Sequence, residues 1–290
     1  MHLEKAWDIS IGDAQARGPA VCVSAGMVYV AHPEGSWTVV SADGQIQQTK
    51  TDFSISGVSS LACQGEYIYA GIRQSNFVLV YSHELTVVRA VKFPRPFRFI
   101  SVDREGNIYG AGLWQGKLIH RLSPSGTLVS FGDMPRYPNP ITANFNTVST
   151  SLVVDEERRE ILYKPENPYR IHVLDMEGTP RSVHEPDVTF GPTRVTTSAR
   201  GTQFLPSDYT ARFFKLHDGS YVVLTVRAHQ QGNAVWQQAL ILDVLDPSFK
   251  HTAFVPALGF GMLMAKDDDD NLYGAIGAPT LRLIKAKLVK

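Results

Sequence analysis

The chain alternates short apolar segments with tight polar turns, and this arrangement returns six times. In each copy an apolar run leads into a turn rich in Gly, Asp or other polar residues, and a second apolar run with an aromatic residue follows. The six turns with their second runs are SAGMVYVA (24–31), QGEYIYAG (64–71), DREGNIYGAG (103–112), DEERREILYK (155–164), HDGSYVVLT (217–225) and DDDNLYGAI (268–276). Each copy predicts a β-hairpin.

A third strand and a second turn follow several of these hairpins, as in KLIHRLSPSGTLVSF. Four antiparallel strands in a unit that cannot bury both of its faces alone are typical of a propeller blade. No segment keeps an apolar period of 3.6 residues, so no helices are predicted between the strands. The sequence predicts an all-β fold, a six-bladed β-propeller with four antiparallel strands per blade, in one domain over residues 1–290.

The two ends of the chain complement each other. The last unit ends one strand short, with TLRLIKAKLVK, and LEKAWDISIG precedes the first unit without a blade of its own. We expect the N-terminal strand, around Trp7 to Ile11, to pair with the C-terminal strand around Leu281 to Leu288. Such pairing closes the last blade and removes free sheet edges.

The segment FRFISVDREGNIYGAGLWQGKLIHRLSPSGTLVSFGD (97–133) resembles a blade of the TolB-like six-bladed propellers and their NHL-repeat relatives. The resemblance implies the fold. It does not imply one function, because that superfamily includes binding modules, lactonases, lyases and strictosidine-synthase-like enzymes.

Two features bear on metal binding. In the lactonases of this group a Glu before a Gly-Pro pair binds a divalent metal, whereas here Arg17 precedes Gly18 and Pro19. The acidic run Asp267 to Asp270 aligns with the turn DREGN, which favours a hairpin turn over a calcium site. The resemblance and the dispersed carboxylates therefore predict no metal and no cofactor.

Composition and charge bear on the partners and the compartment of the protein. The chain has 290 residues, 43% of them hydrophobic and 19% charged, and its formal net charge is zero. This charge gives no field that favours nucleic acid or an anionic membrane, and no apolar run is long enough to span one. Cys22 and Cys63 lie in apolar runs, and we expect buried thiols, with a disulfide or a reactive thiol as alternatives. The compartment stays open, cytoplasmic as the chain stands or exported if a signal peptide has been removed.

The two faces of the predicted propeller differ in charge. The tight turns within each blade are mainly acidic, whereas the face formed by the other loops, called the loop face below, carries an excess of arginine. Guanidinium groups suit planar contacts to carboxylate or phosphate. We therefore expect the loop face to bind an anionic small molecule or an acidic protein surface.

The long segments 132–150 and 185–210 belong to this face and contain no obvious strands. The candidate ligand-binding residues are Arg95, Arg98, Trp114, Arg136, Asn144, Arg194, Arg200, Arg212 and Gln231. Two alternatives remain. One is a lyase or hydrolase at the mouth of the central channel, with His229 and Tyr209 as catalytic candidates, and the other is a scaffold for protein interactions.

Overall fold

The structure, a computed structural model, describes residues 1–13, 18–73, 75–97, 99–134, 150–165, 169–188, 194–198, 201–205, 208–231, 235–277 and 279–290. These residues form six four-stranded antiparallel sheets and one additional hairpin. The innermost strands of the six sheets neighbour one another in ring order. The predicted six-bladed β-propeller is therefore confirmed.

The strands follow chain order from the axis outward in the first five blades. Blade 1 contains β2 (Ala20–Ser24), β3 (Met27–His32), β4 (Ser36–Ser41) and β5 (Ile46–Thr51). Blade 2 contains β6 (Val58–Gln64), β7 (Tyr67–Ile72), β8 (Phe77–Ser82) and β9 (Val87–Lys92). Blade 3 contains β10 (Phe99–Val102), β11 (Ile108–Trp114), β12 (Lys117–Leu122) and β13 (Leu128–Asp133).

Blade 4 contains β14 (Ser151–Asp155), β15 (Glu160–Lys164), β16 (Ile171–Asp175) and β17 (Pro180–His184). A hairpin of β18 (Arg194–Ser198) and β19 (Gly201–Leu205) precedes blade 5, in a segment for which the sequence predicted no strands. Blade 5 contains β20 (Tyr209–Lys215), β21 (Tyr221–Gln231), β22 (Val235–Leu245) and β23 (His251–Pro256).

Blade 6 combines both ends of the chain. It contains β24 (Met262–Lys266), β25 (Asn271–Ile276), β26 (Thr280–Val289) and, outermost, β1 (His2–Asp13). β1 pairs with β26 from His2 opposite Val289 to Asp13 opposite Thr280. The predicted closure is confirmed, and the N-terminal strand is longer than the Trp7 to Ile11 core expected from the sequence.

The hydrophobic core is divided among the interfaces between blades. The described residues form six clusters of buried side chains, and each cluster joins two neighbouring blades. Between blades 1 and 2, for example, Trp37 packs edge-on against Tyr81 at 5.2 Å between ring centroids, and both are fully buried. Each blade is thus stabilised by its neighbours, which explains why the repeat needs a closed ring.

The similar segments 102–112 and 266–277 carry the same hydrogen-bonded turn. Asp103 accepts from the Asn107 amide nitrogen at 2.8 Å and from the Tyr109 hydroxyl at 2.9 Å. Asp267 accepts from the Asn271 amide nitrogen at 2.9 Å and from the Tyr273 hydroxyl at 2.7 Å.

In each of the two segments, the Asp carboxylate anchors the turn to the buried second strand of its blade. Burial raises the pKa of Asp267, but the hydrogen bonds from Tyr273 and Asn271 outweigh it, and the pKa is lowered overall. The acidic run is a hairpin turn between β24 and β25, as predicted. Within the described ranges no group of three or more His, Cys, Asp or Glu side chains is arranged to hold a metal ion.

The first expectation for the two cysteines, buried free thiols, was wrong, and the disulfide alternative is confirmed. Cys22 of β2 and Cys63 of β6 form a disulfide, with their Cα atoms 5.7 Å apart. The two strands are the innermost strands of neighbouring blades, so residues that are 41 positions apart in sequence face each other. The sequence could not reveal this pairing because it depends on how blades 1 and 2 pack.

Removing the disulfide is expected to destabilise the ring. Replacing both cysteines, Cys22→Ser with Cys63→Ser, should lower the free energy of unfolding by about 2–4 kcal/mol, because the cross-link restricts a long loop in the unfolded chain. Urea unfolding with and without a reductant measures this loss. The reductant should weaken the wild type and leave the double variant unchanged. Equal stability of the oxidised wild type and the variant would contradict a stabilising cross-link.

Candidate functional site

Two cavities follow one another along the propeller axis. The innermost strands run from the loop face to the tight-turn face. Residues at or near the start of five of them, β2, β6, β10, β20 and β24, surround a cavity of about 330 Å³ at the loop face. The second cavity, about 340 Å³, lies between the remaining parts of all six innermost strands. Phe99, Arg212 and Met264 line both cavities, so they mark the boundary between them.

Three β-bulges surround the loop-face cavity. The ladder between the two innermost strands is interrupted at Ser59 in β6, at Ala211 in β20 and at Met264 in β24. All three residues line the cavity. A bulge changes the direction of neighbouring side chains and is common beside functional sites. The three irregularities therefore shape one cavity at the start of the channel.

An arginine and an aromatic ring meet at the base of this cavity. The guanidinium carbon of Arg212, the residue next to the bulge in β20, lies 4.2 Å from the centre of the Phe99 ring. Stacking of this kind holds a guanidinium in place while its edge can still donate hydrogen bonds. Phe99 is buried, whereas Arg212 is partly exposed.

A second arginine and two methionines complete the wall. Arg73 follows β7, its backbone amide donates to the Gly57 carbonyl at 2.9 Å, and its side chain is exposed. Met262 and Met264 of β24 also line the cavity. The cavity thus combines two guanidinium groups with an aromatic and thioether surface, and it could hold an anionic group beside an apolar body.

At the tight-turn end of the channel, two lysines form ion pairs. The Lys215 ammonium lies 2.8 Å from both Asp155 and Glu157. Burial lowers the pKa of Lys215, but its hydrogen bonds to these two carboxylates outweigh burial and raise the pKa overall. Lys266 pairs with Asp270 at 2.8 Å. The charges at this end stabilise each other.

Of the predicted site residues whose side chains are described, Arg212 lines the loop-face cavity, whereas Arg95 and Trp114 do not. Arg95 is exposed and donates to the carbonyl of Leu113, and Trp114 packs edge-on against His120 at 5.5 Å between ring centroids. Four of the predicted site residues lie outside the described residues: Arg98, Arg136, Asn144 and Arg200.

Four further candidates lie on strands. Arg194 begins β18, Tyr209 begins β20, and Gln231 ends β21. His229 lies on β21 opposite Gln237 of β22, in the part of this hairpin that extends beyond β20. The catalytic role suggested for His229 and Tyr209 stays a prediction.

One arginine of the predicted loop face has a structural role. Arg227 is buried and lies 3.2 Å from Asp208 and 3.3 Å from Asp243. Burial raises the pKa of Asp243, and the charge of Arg227 opposes this rise. The guanidinium therefore stabilises blade 5 through an internal ion pair.

Sequence reasoning missed most of the cavity wall. Arg73 was recognisable as a loop-face cation, but Ser59, Phe99, Met262 and Met264 have no polar pattern that distinguishes them from other strand residues. A bulge leaves no mark in a single sequence, because it is defined by the pairing of two strands. The site becomes visible only when the six blades are assembled.

Comparisons with known proteins reveal the fold but no family. No family model and no curated protein matches the chain. Among solved structures, a DUF4221-family protein from Bacteroides vulgatus aligns with a TM-score of 0.61 and 8% identity, covering 98% of this chain and 97% of that chain. Streptogramin B lyase aligns with a TM-score of 0.58 and 12% identity, covering 98% and 97%.

The β-propeller domain of Swd1 from Myceliophteria thermophila aligns with a TM-score of 0.51 and 10% identity, covering 97% of this chain and 99% of that chain. At such identities the likeness shows the fold alone. The part of the chain that the structure describes contains no apolar helix of membrane-spanning length. The chain is a six-bladed β-propeller, and its narrower grouping with TolB-like or NHL-like proteins stays a prediction.

Proposed function

We propose that this protein binds a small molecule that carries an anionic group and a flat or apolar body, at the loop-face mouth of its central channel. A propeller fold supports a binding or scaffold role in general. The observation that carries the narrower proposal is the convergence of three β-bulges on one cavity that Arg73 and Arg212 also line.

The anionic part of the ligand follows from the two guanidinium groups. Arg212 is held by its contact with Phe99, so little side-chain freedom is lost when it donates to a carboxylate, phosphate or sulfonate. Arg73 is exposed in the wall of the same cavity and can donate hydrogen bonds to the same anionic group. An acidic surface of a partner protein is less well matched, because Arg212 lies at the base of a cavity shared with the inner channel.

The apolar part of the ligand follows from the remaining wall. Phe99, Met262 and Met264 offer an aromatic face and flexible thioethers, which adapt to flat ligands. A few charged groups within a largely apolar cavity are typical of small-molecule sites.

Two fluorescent probes that differ only by one sulfonate group test this proposal. 8-Anilinonaphthalene-1-sulfonate has the proposed chemistry, and N-phenyl-1-naphthylamine is the same molecule without the sulfonate. The double variant Arg73→Gln with Arg212→Gln should bind the sulfonate more than tenfold more weakly, because two charge-assisted contacts of about 1.5 kcal/mol each are lost and 1.4 kcal/mol is one decade. Its affinity for the neutral probe should change less than twofold.

The matched control is Arg104→Gln with Arg159→Gln, which removes two exposed arginines from the tight-turn face. This variant should bind both probes as the wild type does. Affinity for the sulfonate should also fall as salt rises. If the two double variants bind the sulfonate equally well, the anion site is not at the channel mouth.

The disulfide bears on the compartment. Disulfides persist mainly in oxidising environments, and Cys22 and Cys63 form one in this fold. This supports the exported alternative over the cytoplasmic one.

A further inference from the structure

A larger cavity of about 740 Å³ lies away from the axis, at the rim of the loop face. It is enclosed on one side by the end of β1, at Gly12 and Asp13, and on the other by the β3 to β5 part of blade 1. The cavity therefore lies at the seam where the N-terminal strand closes the ring. Its volume is within the range of small-molecule sites.

The wall that blade 1 contributes changes from apolar to polar side chains along one face of the sheet. Towards the tight-turn face, Val28, Val30 and Val40 belong to the buried cluster between blades 6 and 1. Towards the loop face the wall of the cavity carries His32, Ser36, Thr38, Thr49 and Thr51. Apolar residues would fill such an interface more stably if packing were its only role. Polar groups are found there instead: His32 and Thr38 are buried, Ser36 is partly exposed, and the hydroxyls of Thr49 and Thr51 are exposed donors and acceptors.

The imidazole has a defined position. The His32 Nε2 atom lies 2.9 Å from the Thr38 hydroxyl, and its Nδ1 atom lies 3.7 Å from the Glu34 carboxylate. The Ser36 hydroxyl donates to the same carboxylate at 3.3 Å. Both His32 and Thr38 are buried, so their hydrogen-bonding groups are fixed before any ligand arrives.

Lys50, the cation that β5 contributes to this wall, does not direct its ammonium group into the cavity. Neighbouring residues of a strand point to opposite faces of a sheet, and the ammonium group of Lys50 donates to the Leu85 carbonyl in blade 2. Thr49 and Thr51, on either side of Lys50, are exposed. Their hydroxyls, together with the carboxylate of Asp13, are suited to a hydroxyl-rich ligand.

An exposed aromatic side chain lies against a turn that borders the cavity. Phe53 is 77% exposed, and it packs against Gly35, in the turn whose Pro33 and Glu34 line the cavity. A β-carbon at Gly35 would lie 2.9 Å from the Phe53 Cα atom, so glycine permits this close approach. An open aromatic ring stacks on the apolar face of a sugar ring, while hydroxyls and carboxylates bind its edge.

We propose that the rim cavity binds a carbohydrate of one or two sugar units, between β1 and blade 1. The hydroxyl wall of Thr49 and Thr51 and the carboxylate of Asp13 bind the sugar hydroxyls, and Phe53 stacks on the ring. The ligand contacts both sides of the closing seam, so it stabilises the closed propeller as it binds. This site is separate from the channel mouth.

The probes for the test are the methyl glycosides of glucose, galactose, mannose and N-acetylglucosamine. Saturation-transfer NMR at millimolar concentrations detects binding, and a titration of amide chemical shifts gives the dissociation constant. At least one glycoside should bind saturably and perturb resonances of β1 and blade 1. Thr49→Val with Thr51→Val, and separately Phe53→Ala, should each weaken this binding at least tenfold.

The matched controls are Thr86→Val, at an exposed position in a tight turn, and Phe254→Ala, at an exposed position of β23. Both should bind the glycoside as the wild type does. The channel-mouth variant Arg73→Gln with Arg212→Gln should bind it normally too, so the two sites can fail independently. Lack of saturable binding to all four glycosides, or binding that survives both rim variants, would overturn the proposal.

Discussion

A chain without residues 1–13 is expected to lose cooperative folding. β1 pairs with β26 along its whole length, and Leu3 and Ile11 are buried in the two core clusters at the sides of blade 6. The Trp7 indole nitrogen donates to the Ala42 carbonyl of blade 1 at 2.9 Å. Removing β1 exposes both clusters and leaves an open edge on β26, so the loss should approach the whole stability of a domain, about 5–15 kcal/mol.

Thermal unfolding followed by circular dichroism measures this effect. A synthetic peptide of residues 1–13 added to the truncated chain should restore a cooperative transition, since it supplies the missing strand, and a peptide of scrambled sequence should not. A truncated chain that melts at the temperature of the wild type would show that closure does not depend on β1.

Neutralising one member of the buried ion pair in blade 5 is expected to be the most destabilising single substitution that we describe. Asp243→Asn leaves the Arg227 guanidinium buried without its full charge partner, and Asp208 replaces only part of that interaction. Breaking a buried pair in this way lowers the free energy of unfolding by about 3–5 kcal/mol. Urea unfolding at neutral pH provides the measurement.

The control is the exposed pair between Arg170 and Glu185, whose atoms are 2.7 Å apart. Glu185→Gln should lower stability by less than about 1 kcal/mol, because water screens the charges. The double variant Arg227→Met with Asp243→Leu should recover much of the loss, since no charge then remains unpaired. Similar losses for Asp243→Asn and Glu185→Gln would mean that Arg227 finds another way to satisfy its charge.

Prediction from the sequence succeeded where one blade contains the whole signal. The turn that begins at Asp103 and the turn that begins at Asp267 were recognised as hairpins, because each needs only its own Asp, Asn and Tyr. The closure of the last blade was also predictable, since three strands at one end of the chain and one strand at the other complete the repeat.

Prediction failed where strands distant in sequence have to meet. The thiols of Cys22 and Cys63 were expected to be free, but packing of β2 against β6 brings them together. The arginine excess of the loop face was expected to be available to a ligand, but the neighbouring strand places Asp243 beside Arg227. In each case the partner is supplied by strand packing, which the local pattern does not contain.

The sequence by itself determined the architecture, because a hairpin and its apolar strands are local and six copies of one unit have few ways to bury their faces. The tertiary structure decided where the two proposed sites lie. The channel-mouth cavity requires bulges in β6, β20 and β24 to face one another, and the rim cavity requires β1 to return beside blade 1. Both sites are formed by residues distant in sequence, and the packing of the closed ring alone brings them together.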